Sequence, residues 1–182
     1  MVLSPIDKLV EQVVNWHFLR YPQIKANTPS DSSLAAISLL CEHVLLPIQK
    51  KFGQLDITYG FTSSVLLKEI LKKAPQGIAP KLDQHASHEV NSKRNPHCQR
   101  YGAACDFMIA GYKNDMDQVA DWISQNVGFD RLYFYGTNRP IHISVGPDNS
   151  RFIQIMSASQ LGKRIPKKSG SGVPFSNLWN ND

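Results

Sequence analysis

The chain of 182 residues is short of several things, and each shortage excludes a class of protein. Only three cysteines are present, Cys41, Cys98 and Cys105, and an odd number cannot all pair within one chain. A secreted scaffold built on disulfides is excluded, and a reducing compartment is expected. Charged residues make up 19% and the eleven prolines are scattered, which argues against a coiled coil. No uninterrupted apolar run approaches the roughly 18 residues that a bilayer span needs, so no membrane association is expected. The start, Met1-Val2-Leu3-Ser4-Pro5-Ile6-Asp7, has no basic segment leading into an apolar one, so a secretory signal is not expected and the cytoplasm is the expected location. His-Glu-x-x-His and Cys-x-x-Cys are both missing, which removes the commonest zinc motifs.

What is present suits one folded domain. At 42% hydrophobic residues, the chain can build a core and is not disordered. The formal charge of +5 is concentrated at the end, where Lys163, Arg164, Lys167 and Lys168 oppose Asp182. The body keeps only +2, so nucleic acid is not an expected partner, and any such binding would run through the basic end and fall steeply with salt. Lys-Arg-Ile-Pro-Lys-Lys followed by Ser-Gly-Ser-Gly predicts a flexible, solvated tail over 161–182, after one domain over 1–160.

Ser4-Pro5-x-Asp7 is a helix start, and Ile6, Leu9, Val10, Val13 and Val14 continue at helical spacing to about Leu19. A second helix is predicted from about Ser33, with Ile37, Cys41, Val44, Leu45 and Ile48 on one stripe, a kink at Pro47 and a stop at Gly53. The domain thus divides into a helical part, 1–53, and a core, 54–156. In the core, Leu55 to Phe61 predicts a strand and Val65 to Lys73 a helix. The long polar stretch 74–100 has the length of a functional or disordered loop. Ala103 to Ala110 predicts a buried strand, Asp115 to Val127 a helix, and Arg131–Tyr135, Ile141–Val145 and Arg151–Met156 three strands. Helices followed by a mostly antiparallel sheet define an α+β fold.

Among the polar residues, His17 and His43 fall within amphipathic helices and read as packing or surface groups, and Cys41 reads as a core thiol. Asp106, between Cys105 and Phe107, and His142, between Ile141 and Ile143, are different. A carboxylate or imidazole inside an apolar strand must be paired, hydrogen-bonded or bound to a metal. A direct Asp–His hydrogen bond and a shared metal ion both satisfy the pair.

The segments Val44-Leu45-Leu46-Pro47-Ile48-Gln49-Lys50-Lys51-Phe52-Gly53 and Leu55-Asp56-Ile57-Thr58-Tyr59-Gly60-Phe61-Thr62-Ser63, then Gly102-Ala103-Ala104-Cys105-Asp106 and Ile141-His142-Ile143-Ser144, occur in that order over roughly residues 34 to 146. Together they resemble the zinc D-Ala-D-Ala carboxypeptidase family, which shares its fold with the hedgehog signalling domain. The resemblance implies N-terminal helices on a small, mostly antiparallel sheet and a catalytic Zn2+ held by His85, Asp106 and His142. His97 and His88 are the rivals for the first of these positions. It further implies a peptidase or amidase acting on a peptide or cell-wall fragment, reached through lysis or a phage particle if not in the cytoplasm. The chain departs from the family at three places: Thr62 stands where the family has an arginine, and Tyr135 and Arg139 stand where it has its water-activating acid. Glu89 is therefore the expected proton shuttle and Arg139 the expected anchor for a carboxylate or oxyanion. A non-catalytic binding module that retains the zinc scaffold is the alternative.

Overall fold

A computed structural model describes residues 3–25, 27–73, 83–158 and 164–179. Helix α1, Pro5–Asn15, opens on a capping box in which Asp7 N–H donates to Ser4 Oγ (3.1 Å) and Ser4 N–H to Asp7 Oδ2 (3.2 Å). A 3-10 turn, Trp16–Leu19, extends it, as the apolar spacing predicts. Helix α2, Asp31–Leu40, starts two residues earlier than expected because Ser30 caps it. It runs on through Cys41–Leu45 in π form into α3, Leu46–Phe52. Pro47 has no N–H to give to residue 43 and its ring crowds that turn, and the π turn absorbs the missing bond.

Asp31–Phe52 is thus one helix of 22 residues, long and apolar enough by length and composition to cross a membrane. A search for uninterrupted apolar runs passes over it because Glu42, His43 and Gln49 break the run. Its apolar face carries Ile37, Leu40, Val44, Leu45 and Ile48 into the core cluster with Phe107, Ile141 and Ile143 of the sheet.

The sheet has six strands in the order β1-β2-β4-β3-β5-β6: β1 Leu55–Tyr59, β2 Ala103–Ile109, β3 Arg131–Phe134, β4 Ile141–Val145, β5 Phe152–Ala158 and β6 Arg164–Ser171. Every pairing is antiparallel except β3 with β5. Helix α4, Ser64–Lys73, follows β1, and α5, Met116–Asn126, links β2 to β3. The class is therefore α+β with a mostly antiparallel sheet.

The expected tail from 161 needs correction. Residues 164–171 form β6, paired with β5 from Phe152↔Ser171 to Ala158↔Arg164, and Gln154 Nε2 clasps the Lys168 carbonyl (2.8 Å). Phe175 then buries against Phe134 (ring centroids 4.9 Å), and a short helix α6, Ser176–Trp179, closes over it. Composition misled here because an outer strand is held by backbone ladder bonds, and Lys and Pro are typical of a guarded sheet edge.

Candidate metal centre

Strand pairing assembles the site. Asp106 on β2 lies directly across from His142 on β4, Tyr133 on β3 lies across from His142, and Tyr59 on β1 across from Asp106. Alternation puts these four side chains on the sheet face opposite Cys105, Phe107, Ile141 and Ile143, which belong to the core. The Tyr133 ring stacks on His142 (4.7 Å, 14°).

The second imidazole, His85, arrives on the 3-10 turn Gln84–Ala86. Gln84 Nε2 pins that turn by donating to the carbonyls of Tyr101 (2.7 Å) and Val145 (3.1 Å) and to Asp130 Oδ2 (3.0 Å). Thr62 N–H donates to the His85 carbonyl (3.0 Å). His85 packs edge-on against Tyr59 and lies 5.0 Å, ring to ring, from His142. His85 and His142 are only 3% and 2% exposed. Gly102, just before β2, has φ +88°, and a Cβ there would overlap the Val145 carbonyl, so the glycine lets β2 enter beside β4.

The contacts among these groups are short. His142 Nδ1 is 2.8 Å and His85 Nε2 3.2 Å from the same atom, Asp106 Oδ1. Asp83 Oδ1 lies 3.8 Å from His142 Nε2. Asp83, His85 and His142 each bring a ligand atom within 4.8 Å of the others, a group that can hold a metal ion. Burial works against the ionised form of both acids. The imidazoles nevertheless outweigh it, and hold Asp106, and to a lesser degree Asp83, below the ordinary carboxylate range. Burial likewise opposes a charged His142, but Asp83 and Asp106 overcome it and raise its pKa.

The tautomers tighten the case. His85 Nδ1 sits 3.1 Å from the Gly60 carbonyl, which can only accept, so Nδ1 carries the proton. In a neutral ring, Nε2 then turns a lone pair toward an ionised carboxylate at 3.2 Å. Two acceptors at that separation repel unless a second proton or a cation lies between them. The buried Asp106 carboxylate and the half-buried Asp83 carboxylate, facing two imidazoles, are balanced by two protons or by one divalent ion. A set of two histidines with carboxylate oxygen suits zinc and other first-row divalent metals.

Of the sequence candidates, the fold brings His85, Asp106 and His142 together. His97 does not join them, since its Nε2 meets Ser64 Oγ (2.9 Å), and His88 stacks on Tyr101 (5.0 Å, 24°). Arg139 lines a cavity of about 240 Å³ together with Asp106, Tyr135, Arg20 and Arg164. Glu89, the expected proton shuttle, is engaged by two serines. Its Oε1 accepts from Ser30 N–H (3.0 Å) and Ser33 Oγ–H (2.9 Å), so its carboxylate ties the loop to the start of α2. Sequence reasoning passed over Asp83. The one available signal was its position two residues before His85, which puts both side chains on a single short turn.

Searched against protein-family models, curated proteins and solved structures, the chain matches none.

Proposed function

We propose that the protein is a zinc-dependent peptidase or amidase of the hedgehog/D-Ala-D-Ala peptidase type. The observation that carries this is the convergence of His85 Nε2 and His142 Nδ1 on one oxygen of Asp106, with Asp83 beside His142. Tetrahedral bonds of 2.0–2.2 Å separate neighbouring ligand atoms by roughly 3.3–3.6 Å; the His85 contact with Asp106, 3.2 Å, is close to that spacing, while the His142 contact, 2.8 Å, is a hydrogen bond that a metal would have to open by about half an ångström. His85, His142 and Asp106 are the ligands in this reading, because Asp106 touches both rings from a rigid strand. A bound zinc ion would supply Lewis acidity toward a substrate carbonyl.

The protein's own groups do the rest. Asp83 Oδ1 takes the proton of the attacking water and returns it to the leaving nitrogen, the role for which the sequence offered only Glu89. Tyr59, edge-on to His85, and Tyr133, stacked on His142, wall the two imidazoles and hold their orientations. Arg139, in the adjoining cavity, is placed to hold a substrate carboxylate or the developing oxyanion. By resemblance the substrate is a peptidoglycan-type peptide.

One observation favours the alternative of a binding module that keeps the metal. Thr62, at the position of the family's arginine, is buried and spends its N–H on the His85 carbonyl, so it cannot meet a substrate. Metal analysis of the purified protein, with release of amines from cell-wall peptides by wild type and Asp83→Asn, separates the two. The enzyme reading expects about one zinc per chain, and hydrolysis that falls at least a hundredfold in the variant while zinc stays bound. Zinc without hydrolysis leaves the binding module, and absence of any bound divalent metal overturns both.

A further inference from the structure

The two edges of the sheet are treated differently. β6 carries Arg164, Pro166, Lys167 and Lys168, the residues that discourage another strand from docking. β1 at the opposite edge has one charge, Asp56. Among the described residues, no backbone group of Leu55–Tyr59 makes a hydrogen bond outside its ladder with β2. Every second residue of an edge strand turns its N–H and C=O outward, so this edge offers an unused template.

A groove of about 750 Å³ runs along that edge, between β1 and the outer face of α1 with the turn after it. Its walls combine apolar Trp16, Leu19 and Ile57 with Lys8 and Arg20 against Glu11 and Asp56, so the groove itself is balanced in charge and the excess of arginine lies at its inner end. Leu19 is 93% exposed, an apolar side chain with no intramolecular task. The groove leads to the metal centre, since Arg20 and Thr58 line both it and the cavity that holds Asp106, Arg139 and Arg164. No acidic side chain among the described residues forms an ion pair with Arg20, Arg139 or Arg164. Strand β1 also points at the site, because Tyr59 packs on His85 and Gly60 holds the His85 Nδ1 proton.

We infer that the peptide substrate binds extended, its backbone adding as a strand to β1 in this groove and its acidic groups meeting Arg20, Arg139 and Arg164 as it is delivered to His85, Asp106 and His142. The inference rests on the metallopeptidase reading for its chemistry but predicts binding that needs no metal. Main-chain hydrogen bonds to β1 supply affinity, alternate side chains enter the groove, and Arg20, Arg139 and Arg164, the last stacked on Tyr135 (4.3 Å), receive acidic groups near the scissile bond. A five-residue strand spans about 17 Å, enough to register roughly five residues of substrate.

The probe is the hexapeptide acetyl-Val-Glu-Val-Glu-Val-Glu, titrated by calorimetry and tryptophan fluorescence into the full chain, both zinc-loaded and metal-free. Two further versions are N-methylated on the valines or on the glutamates. Strand addition expects saturable binding in both metal states, weakened at least tenfold by one methylation pattern and less than twofold by the other. Ile57→Glu should weaken binding tenfold without changing zinc content. No saturation up to millimolar peptide, or equal sensitivity to both methylation patterns, overturns the inference. So does a concentration-dependent dimer that Ile57→Glu abolishes, because a second copy would then occupy the edge. Peptide binding by a protein that takes up no zinc would sink the metal reading alone.

Discussion

Replacing Asp106 by asparagine keeps the shape of the side chain and removes its charge, and two effects then separate. In the metal-free protein, Asp106 Oδ1 is the shared partner of two buried imidazoles. Breaking a buried pair of this kind costs about 3–5 kcal/mol. The amide oxygen can still accept one hydrogen bond, worth about 1 kcal/mol, so the net loss should be roughly 2–4 kcal/mol. For a chain of this size that lowers Tm by about 5–15 °C. With metal present, a carboxylate that only orients a ligand changes affinity by about 10–100-fold, up to about 2.8 kcal/mol. A carboxylate that is itself a ligand must exceed that. Competition with a chromophoric chelator should therefore place Asp106→Asn beyond a hundredfold and Asp83→Asn within it, with thermal melts of the metal-free proteins run beside them. If Asp106→Asn binds zinc like wild type and melts at the same temperature, the reasoning about the site is wrong. If the ranking is reversed, Asp83 is the ligand and Asp106 holds the rings in place.

Glu89→Ala should cost about 1–2 kcal/mol in denaturant unfolding, because the start of α2 loses the acceptor for Ser30 N–H and Ser33 Oγ–H, while zinc content stays unchanged. Gly60→Ala should be far more damaging, about 3 kcal/mol or failure to fold, since its Cβ would overlap the Val13 carbonyl and displace the carbonyl that fixes His85; circular dichroism and zinc content report both. Burial pushes the Cys41 thiol up to about 12 and raises Cys98 and Cys105 as well. A thiol-reactive dye at pH 8 should accordingly label none of the three until denaturant is added, and fast labelling of the native protein would contradict the packing.

The sequence by itself determined the local elements. Ser4-Pro5-x-Asp7, the stripe from Ile37 to Ile48 and the alternation around Asp106 and His142 each express a short-range rule, and the helices and strands they predict are present. The same alternation singled out two site residues, since an ionisable group inside an apolar strand stands out without any knowledge of its neighbours. Tertiary structure decided what depends on partners far away in the chain. Asp83 was invisible as a site residue because its role comes from a distance to His142, 59 positions later. Glu89 looked available because the serines that occupy it sit at 30 and 33. The segment 164–171 looked like solvated chain because backbone pairing to β5 leaves little trace in composition. Local propensity is written residue by residue, whereas the charge balance of a buried cluster and the pairing of an edge strand exist only once the sheet has closed.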